Sequence, residues 1–323
     1  MKLLIIIVNY RTSDLVIDCL RSLRDEIGTV PPFKVIVVEN ASDDDSARRI
    51  ADAIASNEWQ SWAELLPLGT NGGFAAGNNA AIRAALAGPD VPDFFLLLNP
   101  DTVVRPGAVR ALVDFMDRRP DAGIVGSRLE NLDGTPQISA FRFPSVLGEL
   151  EAGIRIGLIS RVLARWTVSP PIPSVECKTD WVAGASMMIR HQVFETIGLL
   201  DERYFMYFEE VDFCRRASRA GWPCWYVPQS RVVHLVGQSS GVTNAAQSRR
   251  RRPRYWFEAR RLFFLRHYGP FRTLLADLFW AAGYAVWRVR RAVFRRPDND
   301  PERLLSDFVG YNLIGIGRRS AAR

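Results

Sequence analysis

Cysteine is scarce in this chain, with four among 323 residues (Cys19, Cys177, Cys214 and Cys224) and no Cys-x-x-Cys pair. That usage offers neither a disulfide framework nor a zinc site, and it fits a reducing compartment. No uncharged apolar run reaches the roughly 18–20 residues of a membrane span. The apolar run Leu3–Val8 is shorter than a signal peptide needs. It is followed by Asn9-Tyr10-Arg11 rather than a small-residue cleavage site, so it reads as a first core strand. No Gly-x-x-x-x-Gly-Lys-Ser/Thr occurs, and no Gly-x-Gly-x-x-Gly follows the first strand. P-loop ATPase and dinucleotide oxidoreductase readings lose their main support. Internal repeats are absent as well.

Apolar residues make up 48% of the chain, enough for one large core or two domains. The net charge of +7 is unevenly spread. Between Arg249 and Arg296 stand 14 arginines, no lysine and two acids (Glu258, Asp277), a net of +12 that leaves −5 for the rest. A mildly acidic body thus carries a basic tail, which suggests an anionic partner.

The apolar pattern alternates strand and helix. Leu3–Val8, Val35–Val38 and Phe94–Leu98 read as buried strands, with Leu65-Leu66 a short one. Ser13 can cap a helix whose apolar positions are Leu15, Val16, Cys19, Leu20 and Leu23. Asn40–Ser46 is a polar turn feeding a helix through about Ser56. Asn71-Gly72-Gly73 turns into an Ala-rich helix over Phe74–Ala87, stopped by Gly88-Pro89, and Pro106–Met116 is helical. This order implies a doubly wound, mainly parallel sheet. Later, Glu149–Trp166 is amphipathic and Ala185–Ile189 is a short strand. Glu209–Ala220 is a helix closed by Gly221, and Trp222–Val227 is another strand. From Tyr255 onward aromatic and Arg residues alternate in helix-like blocks.

The octet Phe94-Phe95-Leu96-Leu97-Leu98-Asn99-Pro100-Asp101 is the most informative stretch. Pro100 cannot continue a central ladder, and the first carboxylate past the stop is Asp101. A carboxylate at the carboxyl end of a buried strand sits where open α/β sheets bind ligands, and it can hold a divalent metal against a diphosphate. The plainer reading is that Asp101 shapes the turn before Val103-Val104. Loops at the ends of the first strands, holding Asn9-Tyr10, Glu39-Asn40-Ala41-Ser42 and Asn99-Pro100-Asp101, converge on one sheet edge. Gly72, Gly73 and Gly77 permit close backbone approach to a ligand.

Six segments in order then carry a resemblance. They are Ile7-Val8-Asn9-Tyr10, Val38-Glu39-Asn40-Ala41-Ser42, Asn71 to Asn79, Leu97-Leu98-Asn99-Pro100-Asp101, Gly184-Ala185, and Phe205-Met206-Tyr207-Phe208-Glu209-Glu210-Val211-Asp212, with His234 beyond. Over roughly residues 3–240 the chain resembles glycosyltransferase family 2, most of all its rhamnosyltransferase branch. The resemblance implies a GT-A fold: α/β, a mainly parallel central sheet flanked by helices, here with a basic C-terminal helical extension. It implies a catalytic domain over 1–240, with a nucleotide-sugar half (1–120) and an acceptor half (121–240), and a basic aromatic region over 241–323. Donor contacts would come from Asn9, Tyr10, Glu39, Asn40, Asn71, Gly73, Asn78 and Asn99. Asp101 closes the family's Asp-x-Asp metal motif, with Asn99 replacing its first acid, and Glu39 stands where Asp is usual. Asp101 and His234 would hold Mg²⁺ or Mn²⁺. The catalytic base maps to Glu210, with Glu209 its alternative, because the family's Glu-Asp pair is Glu-Glu here. Trp181 and Asp212 would lie at the acceptor.

The activity implied is inverting transfer of a sugar, rhamnose from dTDP-rhamnose, to a saccharide or polyprenyl-linked acceptor in cell-wall or surface-polysaccharide synthesis. Two rivals are a sugar-phosphate nucleotidyltransferase and a non-catalytic, membrane-docked sugar-nucleotide-binding protein. In the tail, Trp256, Phe257, Phe263, Phe264, Phe271, Phe279, Trp280, Trp287 and Phe294 are interleaved with arginine. Such helices lie in membrane interfaces with Arg on one face and aromatics on the other. The expected place is therefore the cytoplasm, peripherally on the inner face of the cell membrane. Nucleic acid is not an expected partner, since no recognition motif accompanies the charge.

Overall fold

Runs of apolar residues without polar alternation belong in strands covered on both faces, and such runs build the centre of this protein. The computed structural model describes residues 2–235 and 249–315. Its first strands are β1 (Leu3–Asn9), β2 (Phe33–Glu39), β3 (Ala63–Pro67) and β4 (Phe94–Leu98). Every residue of β1 and β4 is buried. They pair in parallel in the order β3-β2-β1-β4, with Ile5 opposite both Val35 and Leu96. The crossovers are α1 (Ser13–Arg24), α2 (Ser46–Ser56) and α3 (Gly73–Leu86). On α1 the expected stripe of Val16, Cys19, Leu20 and Leu23 faces the core.

Ser13 does not cap α1. Thr12 holds the cap position, and its N–H and hydroxyl donate to Asn9 Oδ1 at 3.2 and 3.0 Å. The turn is set from the strand side, by the amide that ends β1, so Ser13 becomes a buried first residue of the helix.

Past β4 the sheet becomes mixed. It takes in β5 (Thr102–Val104), β6 (Ile124–Glu130), β8 (Cys177–Thr179), β10 (Ser186–Arg190) and β11 (Cys224–His234); β7 (Ala140–Phe141) and β9 (Trp181–Val182) form a separate pair. Strand β10 runs antiparallel to both β4 and β6, while β11 is parallel to β6 and antiparallel to β5 and β8. Helices α4 (Ala108–Arg118), α7 (His191–Ile197) and α8 (Glu209–Arg219) complete this part. The strand expected over Trp222–Val227 runs on to His234. A register shift between Val227 and Arg231 absorbs Pro228, which has no N–H to give to a ladder.

The chain forms two compact units. The first holds residues 1–141, 171–205 and 209–240; the second holds 142–170, 206–208 and 241–323. In the second unit, α5 (Val146–Ile154) and α6 (Gly157–Val162) occupy the stretch expected as one amphipathic segment, broken at Arg155 with φ 49°. They are followed by α9 (Arg254–Val293), kinked at Gly269-Pro270, and α10 (Leu304–Phe308). Helices α5 and α9 approach closely at glycines: a Cβ on Gly153 would stand 2.6 Å from the Trp280 carbonyl. Beside them a buried Arg260 donates to Glu149 at 2.8 Å and to Asp277 at 2.6 Å. Phe257, Phe263, Phe264 and Trp280, expected on an outer face, are instead buried here. They are large enough to make a core for a helical unit that has few other apolar side chains turned inward.

Candidate active site

The parallel strands end on one edge, where β1 and β2 finish on polar side chains. Asn9 and Glu39 close β1 and β2 side by side in register. Both are buried. Glu39 Oε1 accepts from the Ser42 N–H at 2.9 Å and from Asn9 Nδ2 at 3.4 Å. Asn9 thus donates to one loop while its carbonyl oxygen accepts from Thr12, and Tyr10 beyond it is exposed. Next, Asn40 Nδ2 donates to Asn71 Oδ1 at 3.0 Å and to the Gly73 carbonyl at 3.1 Å. Asn71 Oδ1 also accepts from the Gly73 N–H at 2.9 Å. At this edge the side-chain amide oxygens of Asn40 and Asn78 are buried without a donor.

Gly73 is required at its place. Its φ is 84°, and a Cβ would collide with the Phe205 carbonyl, which accepts the Phe74 N–H at 2.9 Å. Phe74 packs in turn against Gly184: a Cβ built there lies 3.5 Å from the Phe74 ring and 3.8 Å from Glu210 Cβ. One residue on, the Ala185 carbonyl accepts the Asn99 N–H at 3.0 Å. The path Glu210, Gly184, Ala185, Asn99, Asp101 is therefore short and continuous, and it brings the two acidic motifs to the same edge.

Asp101 is 1% exposed, and neither of its carboxylate oxygens has a hydrogen-bond partner. That disposes of a turn-capping role, which would show a bond to backbone. The Nε2 of His234 is 3.5 Å from Asp101 Oδ1, and the Leu235 N–H donates to the Asp101 carbonyl at 2.9 Å, tying the end of β11 to the loop. Two buried anionic oxygens without donors are costly unless a cation or donor group completes them. Among the described residues no group of three or more His, Cys, Asp or Glu converges. Asp101, buried and without donors, and the neighbouring His234 are groups of the kind that ligate a divalent cation.

Glu209 and Glu210 open α8, where carboxylates favour the helix dipole. Burial nevertheless raises both. Glu210 is pushed up to about 7 by desolvation. Glu209 is raised well above the ordinary range, by desolvation first and then by the charge of Glu210. Immediately before them, Tyr207 and Phe208 hold φ of 71° and 68°, a left-handed pair that costs energy in bulky residues and occurs chiefly where function demands it.

Trp181 is half-buried and stacks on Phe141 at 4.1 Å between ring centres, 14° from parallel. Asp212 is fully buried and accepts from Arg216 Nε at 2.8 Å. Arg216 donates onward to the Ile197 and Leu199 carbonyls, so this carboxylate braces α8 against the chain before it. Sequence reasoning gave no role to Ser42, Phe74, Asn79 or Phe205. Asn79 donates to the Leu200 carbonyl at 2.8 Å and to Glu202 at 2.9 Å, locking α3 to the 200–205 segment. A buried amide in an Ala-rich helix is the signal that could have found it.

A family model described as "Glycosyltransferase like family 2" matches residues 2–260. The chain belongs to that family. It is similar to an N-acetylglucosaminyl-diphospho-decaprenol L-rhamnosyltransferase of Mycobacterium tuberculosis, 31% identical over 229 residues, covering 67% of this chain and 70% of the relative. It is also similar to a low-salt glycan biosynthesis hexosyltransferase of Haloferax volcanii, 31% identical over 223 residues (67% and 61% covered). A rhamnosyltransferase of Escherichia coli is 26% identical over 167 residues (51% and 61%). Among solved structures, a mannosyltransferase from Pyrobaculum calidifontis in complex with GDP-Man and Mn²⁺ superposes with TM-score 0.55 at 14% identity, covering 92% of this chain and 76% of that one. S. aureus TarS in complex with UDP-GlcNAc gives 0.54 at 15% identity, covering 97% and 82%. These likenesses show the GT-A fold, and the family and its relatives make this protein a glycosyltransferase.

Proposed function

We propose that this glycosyltransferase moves rhamnose from dTDP-rhamnose, with inversion, onto a saccharide carried by a polyprenyl diphosphate in cell-wall or surface-polysaccharide synthesis. The single observation that carries the catalytic reading is the pairing on one edge of a donor-less buried carboxylate, Asp101, with a carboxyl poised near neutrality, Glu210. The sugar and acceptor are supported by the activities of the rhamnosyltransferase relatives.

Asn9, Glu39 and Asn40 form a buried polar rim beneath exposed Tyr10, suited to the edges of a base and ribose. The Asn71–Gly73 loop brings backbone close to the donor, with Asn78 and Asn99 beside it. Asp101 and His234 would hold Mg²⁺ or Mn²⁺ on the diphosphate; when bound, such an ion offsets charge growing on the leaving group. Glu210 accepts the proton of the acceptor hydroxyl as that oxygen bonds to the anomeric carbon from the face opposite the diphosphate. The bond from anomeric carbon to diphosphate oxygen breaks, and its electron pair leaves with the nucleoside diphosphate. Glu210 is the better base than Glu209 because its pKa of about 7 lets it carry charge at working pH. Glu209 is raised as well, by burial and then by the charge of Glu210, and Trp181 offers a ring face to the acceptor sugar.

The test is a panel of nucleoside-diphosphate sugars incubated with lipid-linked and free saccharides, with and without divalent metal, following released nucleoside diphosphate. Metal-dependent release with dTDP-rhamnose supports the proposal. Pyrophosphate release from a nucleoside triphosphate would make it a nucleotidyltransferase, and binding without turnover a non-catalytic protein.

A further inference from the structure

The distal half of the longest helix in the second unit is apolar on its outward face as well as on its inward one. Between Phe271 and Val293, the inward face of α9 carries Thr273, Asp277, Trp280 and Tyr284, all buried, with Asp277 paired to Arg260. The outward face carries Phe271, Leu274, Leu278, Val286, Val289 and Val293, from 46% to 71% exposed. These positions recur at helical spacing and form one apolar stripe about 30 Å long, at 1.5 Å per residue. A helix facing water carries charged and polar residues on its outward face instead.

The flanks of the stripe are mainly basic, although Asp298 lies 3.8 Å from Arg288 and 2.5 Å from Arg291. Arg272, Arg288, Arg295 and Arg296 are exposed, and the only acid between Phe271 and Arg296 is the buried Asp277. Helix α6 of the same unit repeats the composition: Leu158 and Val162 are exposed with Arg161 between them. A second copy seated on α9 would bring arginine against arginine. Among the described residues no helix is long and apolar enough to cross a bilayer.

We propose that this face of α9 lies flat on an anionic bilayer leaflet. The stripe from Phe271 to Val293 enters the acyl boundary and the flanking arginines meet headgroup phosphates. This extends the lipid-linked acceptor of the preceding section, but it is a property of the helix surface and is read without any transfer reaction.

The experiment is flotation of the full chain with vesicles of phosphatidylcholine alone or mixed with phosphatidylglycerol. Binding is expected to anionic vesicles only, and to weaken as salt rises. The double variant Leu278→Glu, Val289→Glu, both at exposed positions, should lose at least tenfold in partitioning. Arg272→Ala, Arg295→Ala and Arg296→Ala should each weaken it about fivefold, as expected for a basic side chain near an anionic surface. Circular dichroism and release of nucleoside diphosphate with a water-soluble acceptor should match the parent in every variant. Flotation of the Glu variant equal to the parent, or no anionic preference, overturns the proposal. So does self-association in sedimentation that the Glu variant abolishes without vesicle binding, which would make the stripe an interface between copies.

Discussion

Replacing Glu210 by Gln separates its chemistry from its cost to the fold. The parent carboxyl titrates near 7 because burial disfavours its charge. Transfer should therefore fall as pH drops below about 7, where the base is protonated. The Gln variant cannot take the acceptor proton, and loss of a general base costs about 10²- to 10⁴-fold in rate. Stability should move the other way. With the folded pKa above the unfolded one, the native state keeps a proton the unfolded chain gives up. The stability this lends is fully present below about 4.5 and is lost as pH rises through about 7. Moving a carboxyl that far corresponds to roughly 3 kcal/mol, which partial exposure of Glu210 lowers to about 2. Urea unfolding at pH 5 and pH 8 should show the parent losing about that much more across the interval than the Gln variant, which keeps the slope of the likewise raised Glu209. Turnover of Glu210→Gln within threefold of the parent, or two stability profiles that run parallel, would refute the reasoning.

Asp101→Asn should abolish the extra thermal stability that nucleoside diphosphate gains from added Mn²⁺, while leaving any metal-independent shift in place; a thermal melt series reads both. Gly73→Ala meets the Phe205 carbonyl at a left-handed φ and should cost about 2–4 kcal/mol in denaturant unfolding. Arg260→Met leaves Glu149 and Asp277 buried without their cation. It should cost about 3–5 kcal/mol, read by the same melts.

The first half of the fold was legible because each buried strand is an uninterrupted apolar run ending in a polar turn. Phe94–Leu98 is found where its sequence places it, β1 runs one residue past Val8 to Asn9, and β2 spans Phe33–Glu39, longer at both ends than Val35–Val38. The second half was less so. Strand β6 contains Gly126, Ser127 and Arg128, and β11 passes through Pro228, so neither carries a clean apolar signature. The tail misleads for a related reason: composition showed arginine beside aromatics, but only packing decides which face turns inward. There the close glycine contact of α5 with α9 pulls the aromatics into a core. At the site, its place past a buried strand named Asp101 and the family resemblance named the Glu209-Glu210 pair, whereas the link through Phe74, Gly184 and Ala185 rests on contacts between segments far apart in sequence.

The most direct measurement of the central claim is release of nucleoside diphosphate from dTDP-rhamnose in the presence of a polyprenyl-diphosphate saccharide and Mg²⁺ or Mn²⁺, for the parent, Asp101→Ala and Glu210→Gln. The account predicts acceptor-dependent release by the parent and its loss in both variants, each with parent-like folding. Parent-like release by either variant would contradict it.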